Sequence, residues 1–167
     1  MKAFTFTSHY AARTFEPQRG PLSRSTPWRE LQHIVESATC RHCYRYGISW
    51  PAGHLTATLD DTPTTQALAQ ALPLVSTART WGEEVYFDTG VSVSRETDAR
   101  QIVEPGTVTF WADGDALALP YGPTPVSQGE ECRLASPCNV LGRVDGDPGL
   151  LTTVRGGDPV RVELVDA

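Results

Sequence analysis

The feature that most restricts the fold is a succession of short β-type runs between Ile48 and the C-terminus. Each run alternates apolar and polar residues or is rich in β-branched ones, which is typical of strands. The predicted strands are "HLTATLDD", "LVSTA", "EEVYFDT", "GVSVS", "TVTFWA", "ALALPY", "NVLGRV" and "VRVELV". Turn residues separate them at 88–90, 105–106, 113–114, 145–149 and 156–159. So many short strands predict a sandwich or a barrel, and we favour a closed barrel because closure removes exposed strand edges.

Two short helices are predicted within this β-rich region. In "TPTTQALAQAL", Thr62 is placed to cap the helix and Pro63 suits its first turn. Pro73 would end the helix, because proline cannot continue it. A second small helix is expected around residues 149–154. The predicted fold class is therefore mainly β, with two short helices beside the barrel.

The first 47 residues differ in composition and are predicted to form a partly flexible arm, followed by a barrel domain over residues 48–167. Within the arm, Thr26 can cap a helix and Pro27 suits its first position. Apolar residues then recur on one face, which predicts a helix over about 27–38. The alternative is a mis-assigned start, in which case this leader is not part of the natural protein.

Charge divides the chain at the same place. Residues 1–47 carry 7 Lys+Arg and 3 Asp+Glu, a net charge of +4, whereas residues 48–167 carry 7 Arg and 17 Asp+Glu, a net charge of −10. The larger region therefore lacks the concentrated positive charge that nucleic-acid binding requires. Its acidity is explained either as a solubilising surface or as adaptation to high salt, where screening weakens the repulsion between carboxylates.

Hydropathy indicates the compartment. No stretch approaches the roughly 18 apolar residues of a membrane-spanning helix. The N-terminus "MKAFTFTSHYAARTF" lacks the apolar block of a secretory signal. The sequence thus predicts a cytoplasmic protein without membrane or nucleic-acid partners.

Three stretches of the β-rich region resemble the small prokaryotic cyclophilin-like proteins, over roughly residues 48–165. The residues that carry the resemblance are Trp81, Gly82, Glu84, Tyr86 and Phe87, the run Gly-Pro-Thr-Pro at 122–125, and Ser136, Pro137, Asn139 and Gly142. The resemblance implies a closed eight-stranded β-barrel of cyclophilin type, capped by helices.

The same resemblance implies little about activity. Cyclophilins that isomerise X–Pro bonds use an arginine beside a phenylalanine, with glutamine, tryptophan and histidine around the groove. The Phe–Arg pair and its glutamine partner have no counterpart in this sequence, and His54 is the only histidine in residues 48–167. Whether the protein is an enzyme therefore stays open, and prolyl isomerase-like chemistry is the enzymatic alternative.

Residues 119–140, "LPYGPTPVSQGEECRLASPCNV", are predicted to form a rigid loop across the rim of the barrel. Pro123 and Pro125 fix the backbone and remove two donors, which excludes this part from a central strand. A pre-shaped loop loses little entropy on binding, so we expect a ligand groove beside it. The alternative is an ordered connection that covers one barrel end. The candidate groove residues are polar or aromatic: Trp81, Glu84, Tyr86, Trp111, Tyr121, Thr124, Ser136 and Asn139.

The cysteines form two pairs in the sequence, Cys40 with Cys43 and Cys132 with Cys138. Four thiolates from two pairs are the ligand set of a structural zinc site, which here would join the arm to the loop. Redox activity, a disulfide and unrelated free thiols are the alternatives. No other cofactor is expected.

Three functional hypotheses remain. The first is a barrel that binds a small molecule or a peptide in the groove. The second is a prolyl isomerase-like enzyme with unfamiliar groove residues. The third is an interaction domain whose basic arm binds a protein partner. Association of identical copies is compatible with each of them.

Overall fold

The structure is a computed structural model, and it describes residues 43–165. The predicted arm up to residue 42, its helix over about 27–38 and Cys40 lie outside the described residues. The first strand begins at Cys43, ahead of the domain boundary predicted at Ile48. This strand was missed because its first half, "CYRYG", alternates tyrosine with basic and small residues rather than with clearly apolar ones.

The described residues are mainly β, which confirms the predicted fold class. The strands are β1 (Cys43–Trp50), β2 (Gly53–Asp60), β3 (Leu74–Thr77), β4 (Arg79–Thr80), β5 (Glu84–Asp88), β6 (Arg100–Val103), β7 (Thr107–Trp111), β8 (Ala116–Pro120), β9 (Cys132–Asp145) and β10 (Pro159–Leu164). They are joined by one α-helix, α1 (Pro63–Ala71), and by two short 3-10 helices, Ala112–Gly114 and Pro148–Thr153.

The strands pair along one antiparallel path, in the order β3-β10-β1-β2-β9-β7-β8-β5-β4, while β6 pairs with β9 outside the path. Its two ends, β3 and β4, are separated in the chain by Ala78 alone. Residues 74–80 therefore pair with β10 through β3 and with β5 through β4. Counted as one strand, this segment leaves eight strands in the path, which is the number that the predicted barrel requires. Closure of the barrel itself stays a prediction.

Helix α1 begins and ends where the sequence predicts. The backbone N–H of Thr65 donates to the Thr62 hydroxyl at 3.1 Å, so that Thr62 caps the helix. The helix ends before Pro73. Leu68 of the helix is fully buried, and the Tyr46 hydroxyl donates to the carbonyl of Thr65 at 3.0 Å. No helix among the described residues has the length and apolarity needed to cross a bilayer.

The core follows from the alternation of side chains along the strands. Six residues on three neighbouring strands point into the main apolar cluster: Val85 and Phe87 on β5, Val108 and Phe110 on β7, and Leu117 and Leu119 on β8. Burying each such side chain stabilises the fold by about 1.5–3 kcal/mol. The alternate residues define the opposite, outer face of these strands: Glu84 and Tyr86, Thr109 and Trp111, and Ala116 and Ala118.

Residues 119–140 do not form a single loop, which corrects the prediction at both ends. Residues 119–120 belong to β8 and residues 132–140 belong to β9, so that only residues 121–131, the proline loop, connect the two strands. Pro137 is accommodated within β9 because the register between β6 and β9 shifts between Arg100 and Ile102, which leaves a bulge where proline is tolerated.

The run "GVSVS" at residues 90–94 is not a strand, although its alternation predicted one. Val91 and Val93 are partly buried against the main core, which accounts for the alternating pattern. The segment is instead held by side-chain bonds. The Thr89 hydroxyl accepts from the N–H of Val91 at 3.2 Å, and the Asn139 amide donates to the carbonyl of Ser94 at 3.1 Å.

Candidate functional site

A cavity of about 160 Å³ lies on the outer face of β5, β7 and β8, beside the first half of β9. The strands β5 and β8 supply its floor, since Tyr86 pairs directly with Ala118. The residues that line it are Trp81, Glu84, Tyr86, Trp111, Ala118, Leu134, Ala135 and Cys138. Most of this lining is aromatic or aliphatic, so that a carboxyl group within it is chemically exceptional.

That carboxyl group belongs to Glu84, at the first position of β5. The residue is only 7% exposed, and its Oε2 atom is buried with no hydrogen-bond partner in the described part of the chain. Burial raises the pKa of Glu84 to about 7, because the apolar surroundings disfavour the charged form. Leaving a buried polar atom unpaired costs about 1–3 kcal/mol, and such costs concentrate at functional sites.

The indole of Trp111 is held in place by a chain of polar contacts. Its Nε1 donates to the Ser136 hydroxyl at 3.0 Å, and that hydroxyl donates to Asp113 at 3.2 Å. Asp113 in turn accepts a 2.6 Å bond from Arg95. The chain joins β7 to β9 across the rim of the cavity, so the orientation of the Trp111 ring depends on Ser136.

The segment that carries Trp81 and Glu84 is packed against the proline loop. The N–H of Glu83 donates to the carbonyl of Pro123 at 2.9 Å, and the N–H of Tyr121 donates to the carbonyl of Glu83 at 2.8 Å. Gly82 has a φ of +61°, and a Cβ there would lie 2.8 Å from the ring of Pro125. Glycine is therefore required both for the backbone conformation and for the close approach of the loop.

The proline loop is also tied together internally. The N–H of Thr124 donates to the Ser127 hydroxyl at 2.9 Å, and that hydroxyl donates to the carbonyl of Glu131 at 2.7 Å. The buried Thr124 hydroxyl donates to the carbonyl of Arg133, at the start of β9. These bonds, together with the prolines, favour a rigid support for the cavity wall.

Comparisons with known proteins agree with this architecture. The sequence profile of the cyclophilin-like family matches residues 45–163. The chain belongs to the cyclophilin-like family. The solution structure of a hypothetical protein from Archaeoglobus fulgidus is similar to this cyclophilin-like chain, with 36% sequence identity and a TM-score of 0.66. The match covers 76% of this chain and 99% of the archaeal chain. No curated protein matches the sequence.

In this cyclophilin-like protein, four of the eight predicted groove residues line the cavity: Trp81, Glu84, Tyr86 and Trp111. Ser136 does not line the cavity but accepts a hydrogen bond from the lining residue Trp111. The remaining three residues do not line the cavity: Tyr121, Thr124 and Asn139. Tyr121 packs against the main core, and Thr124 bonds within the proline loop and to β9.

Asn139 has a structural position on a different side of β9. Its amide donates to the Thr64 hydroxyl at 2.9 Å, and its carbonyl oxygen accepts from the N–H of Glu96 at 2.8 Å. The Glu96 carboxylate in turn accepts from the N–H of Thr64 at 3.1 Å, in the first turn of α1. Asn139 therefore links α1 to the segment after β5 rather than contributing to the cavity.

Four lining residues were not proposed as groove residues from the sequence: Ala118, Leu134, Ala135 and Cys138. The first three are small or aliphatic strand residues. From the sequence, such a residue in a cavity wall looks the same as one in the core. Cys138 was considered as a metal ligand, a redox or disulfide cysteine or a free thiol, but not as a groove residue. The alternation along β8 could have placed Ala118 opposite Leu117 and Leu119, and so on the same face as Tyr86.

The cysteines do not form a metal cluster among residues 43–165, where no group of three or more metal-ligating side chains occurs. Cys132 and Cys138 are buried free thiols, and Cys43 is disulfide-bonded. Burial raises the pKa of Cys132 to about 11 and that of Cys138 to about 12, with the carboxylate of Glu84 adding to both shifts. Both thiols therefore stay protonated at neutral pH. A disulfide-bonded Cys43 offers no thiolate to a metal, so this form of the protein does not have the predicted four-cysteine zinc site; Cys40, another of its predicted ligands, lies outside the described residues.

Proposed function

We propose that this protein is a binding domain that takes a small molecule, or one side chain of a peptide, into the cavity on the outer face. The observation that carries the proposal is the set of Trp81, Tyr86 and Trp111 around Glu84, whose buried Oε2 has no partner among the residues that the structure describes. Aromatic walls supply contact area at low entropic cost, and a few polar groups in an apolar pocket fix a ligand's orientation.

The size of the cavity restricts the ligand. A cavity of about 150 Å³ in another protein accommodates benzene, and the present cavity measures about 160 Å³. A single ring, or a branched group of similar volume, therefore fills it. A larger ligand would place one such group in the cavity and extend over the exposed rim near Ala135.

The prolyl isomerase alternative gains no support from this site. The side chains that line the cavity include no arginine, glutamine or histidine within the described residues. Glu84 is a carboxyl group that offers the proline amide no positively charged donor. The third hypothesis depends on the arm, which lies outside the described residues.

Binding is tested with a panel of single-ring fragments, both neutral and charged, monitored by melting temperature and by NMR chemical shifts. A fragment that binds only the native protein raises the melting temperature. Ala135 is exposed at the mouth, so Ala135→Trp should block the cavity and abolish the shift. Ala52→Trp, the same change on the exposed β1–β2 turn, should preserve it. If no fragment binds the unmodified protein at millimolar concentration, the proposed function is wrong.

A further inference from the structure

We infer that the group bound in this cavity is a small organic cation, a protonated amine or a quaternary ammonium, held between the aromatic walls and the Glu84 carboxylate. The inference rests on the proposed function and specifies its ligand class. Three observations carry it: the missing partner of Glu84, the aromatic walls, and the state of the neighbouring charges.

The first observation is that Glu84 has no positive partner among residues 43–165. Within that range its Oε2 atom is buried without any hydrogen bond, although the residue lines the cavity. Two arginines that contact residues around the cavity are already paired. Arg79 contacts Asp88 at 2.9 Å, and Arg95 contacts Asp113 at 2.6 Å. A buried carboxylate is stable only when a cation or donors compensate it, and a ligand can supply that charge.

The second observation is the chemistry of the walls. Trp81, Tyr86 and Trp111 line the same cavity as Glu84. Aromatic faces attract cations, and cages of several rings recognise ammonium groups in particular. The Tyr86 ring already takes part in such a contact, since the guanidinium of Arg79 lies 5.9 Å from its centroid. Two indoles and one phenol thus complement a cation that the carboxylate neutralises.

The third observation concerns the titratable groups around Glu84. Glu83 and Glu104 raise the pKa of the same Cys132 thiol as Glu84 does, so the nearby carboxylates add negative charge and give Glu84 no partner. Tyr86 lies on its own strand, and Cys132 and Cys138 lie on β9, with thiols that stay neutral because burial raises their pKa values. On β8, the facing residues are Ala118 and Pro120, which do not titrate. Glu84 is therefore the group in the cavity that changes charge near neutral pH, and a cation stabilises its charged form.

This assignment predicts a coupling between binding and proton release. Because burial raises the pKa of Glu84 to about 7, the carboxyl group is mostly protonated at pH 6. A bound cation favours the carboxylate and expels that proton. Affinity for a cation should therefore rise up to about tenfold per pH unit below pH 7 and become constant above it. A neutral ligand that accepts a hydrogen bond from the protonated carboxyl should show the opposite trend.

The test compares benzylammonium with benzyl alcohol, which share a ring and differ in charge. Isothermal titration calorimetry at pH 6 and pH 8 gives both affinities, and buffers of different ionisation enthalpy give the number of protons released. We expect benzylammonium to bind at least tenfold more tightly than benzyl alcohol at pH 8, and to release close to one proton at pH 6. Glu84→Gln should remove both the preference and the proton release, whereas Glu83→Gln, at the exposed neighbouring carboxylate, should keep them.

The outcomes separate this inference from the proposed function. Equal affinities, or tighter binding of benzyl alcohol at pH 8, would overturn the cation assignment and leave the binding function intact. Binding of neither compound, nor of any ring fragment, would overturn both. Should Glu84→Gln fail to fold, the pH dependence of affinity and the proton count of the unmodified protein still decide the question.

Discussion

The two faces of strand β5 differ in how completely their side chains are satisfied. On the inner face, Val85 and Phe87 are at most 1% exposed and belong to the apolar core. On the outer face, Glu84 is 7% exposed and nearly as buried, yet its Oε2 atom has no partner within residues 43–165. Adjacent residues of one strand thus have opposite roles. The inner face provides stability, whereas the outer face retains an energetic cost of the kind that proteins keep at functional sites.

The difference arises from what covers each face. The inner face packs in one apolar cluster with residues of β1, β2 and β10, with Leu68 of α1 and with Leu151. The outer face is covered by the first half of β9, which pairs with β6 there, and by the proline loop, which packs on Gly82. This second layer brings Leu134, Cys132 and Cys138 over β5 and β8 without filling the space above Glu84. A cavity remains where the two layers do not meet.

The largest expected effect is on stability, when a side chain on each face of β5 is truncated to alanine. Phe87→Ala should destabilise the protein by about 3–5 kcal/mol, because it leaves a cavity in a closely packed core. Tyr86→Ala, one residue away and partly exposed on the outer face, should cost about 1 kcal/mol. Denaturant unfolding measures both. Similar losses for the two variants would show that the outer face belongs to the core after all.

The next effect concerns pH. Burial raises the pKa of Glu84 from 4.5 to about 7, so the folded state binds the proton more tightly than the unfolded state. The stabilisation from Glu84 is complete below about pH 4.5 and is lost as the pH rises through 7. The loss amounts to about 3 kcal/mol, since each pKa unit corresponds to about 1.4 kcal/mol.

Glu84→Gln should therefore become more stable than the unmodified protein as the pH increases from 5 to 8, when both are measured by urea unfolding. Glu83→Gln should follow the unmodified protein across the same range. A constant stability difference between Glu84→Gln and the unmodified protein would mean that Glu84 does not titrate in this window, and that its outer-face environment is not apolar.

A smaller effect tests the contact between Gly82 and the proline loop, which covers the outer face. Gly82→Ala should cost about 2–3 kcal/mol, because the φ of +61° disfavours a side chain and the new Cβ would contact Pro125 and Thr124. Gly90→Ala is the matched control. Its φ is +70°, but no atom of the other described residues lies within 4 Å of the new Cβ, so only the backbone cost of about 1 kcal/mol applies. Equal losses would show that contact with the proline loop is unimportant. Only Gly82→Ala should also weaken fragment binding.

The smallest effect concerns the orientation of Trp111. Ser136→Ala removes the acceptor of the indole N–H, and the cost should be at most about 1 kcal/mol because both residues are partly exposed to water. Fragment affinity should fall a few-fold as the ring gains freedom. Ser76→Ala, on β3, serves as the control for serine removal and should change neither quantity. Unchanged fragment affinity in Ser136→Ala would show that Trp111 is held by packing alone.

Much of the fold could be predicted because local rules operate in it. Thr62 and Pro73 mark the ends of α1, and alternation marks β5, β7, β8 and β10. Predictions failed where contacts with distant parts of the fold determine the structure of a segment. Residues 132–138 resemble a loop because of Pro137, yet the bulged pairing with β6 allows them to extend β9. Residues 90–94 resemble a strand because Val91 and Val93 face the core without pairing.

The candidate site was predictable to the extent that its residues are chemically conspicuous. Trp81, Glu84, Tyr86 and Trp111 were all identified as groove candidates and all line the cavity. Asn139 was also conspicuous, but it bonds to Thr64 and Glu96 on another side of β9. A polar side chain near a site and one that links two segments of the fold are chemically alike, and only their positions distinguish them.

The sequence by itself determined the mainly β class, the placement of α1 and the face on which each residue of β5 lies, because these depend on neighbours a few positions away. The tertiary structure alone decided that the outer face would be covered by β9 and the proline loop and that Glu84 would be buried without a partner from the other described residues. Burial, and the raised pKa that follows from it, depend on atoms brought together from distant parts of the chain. A pattern among neighbouring residues therefore cannot predict either of them.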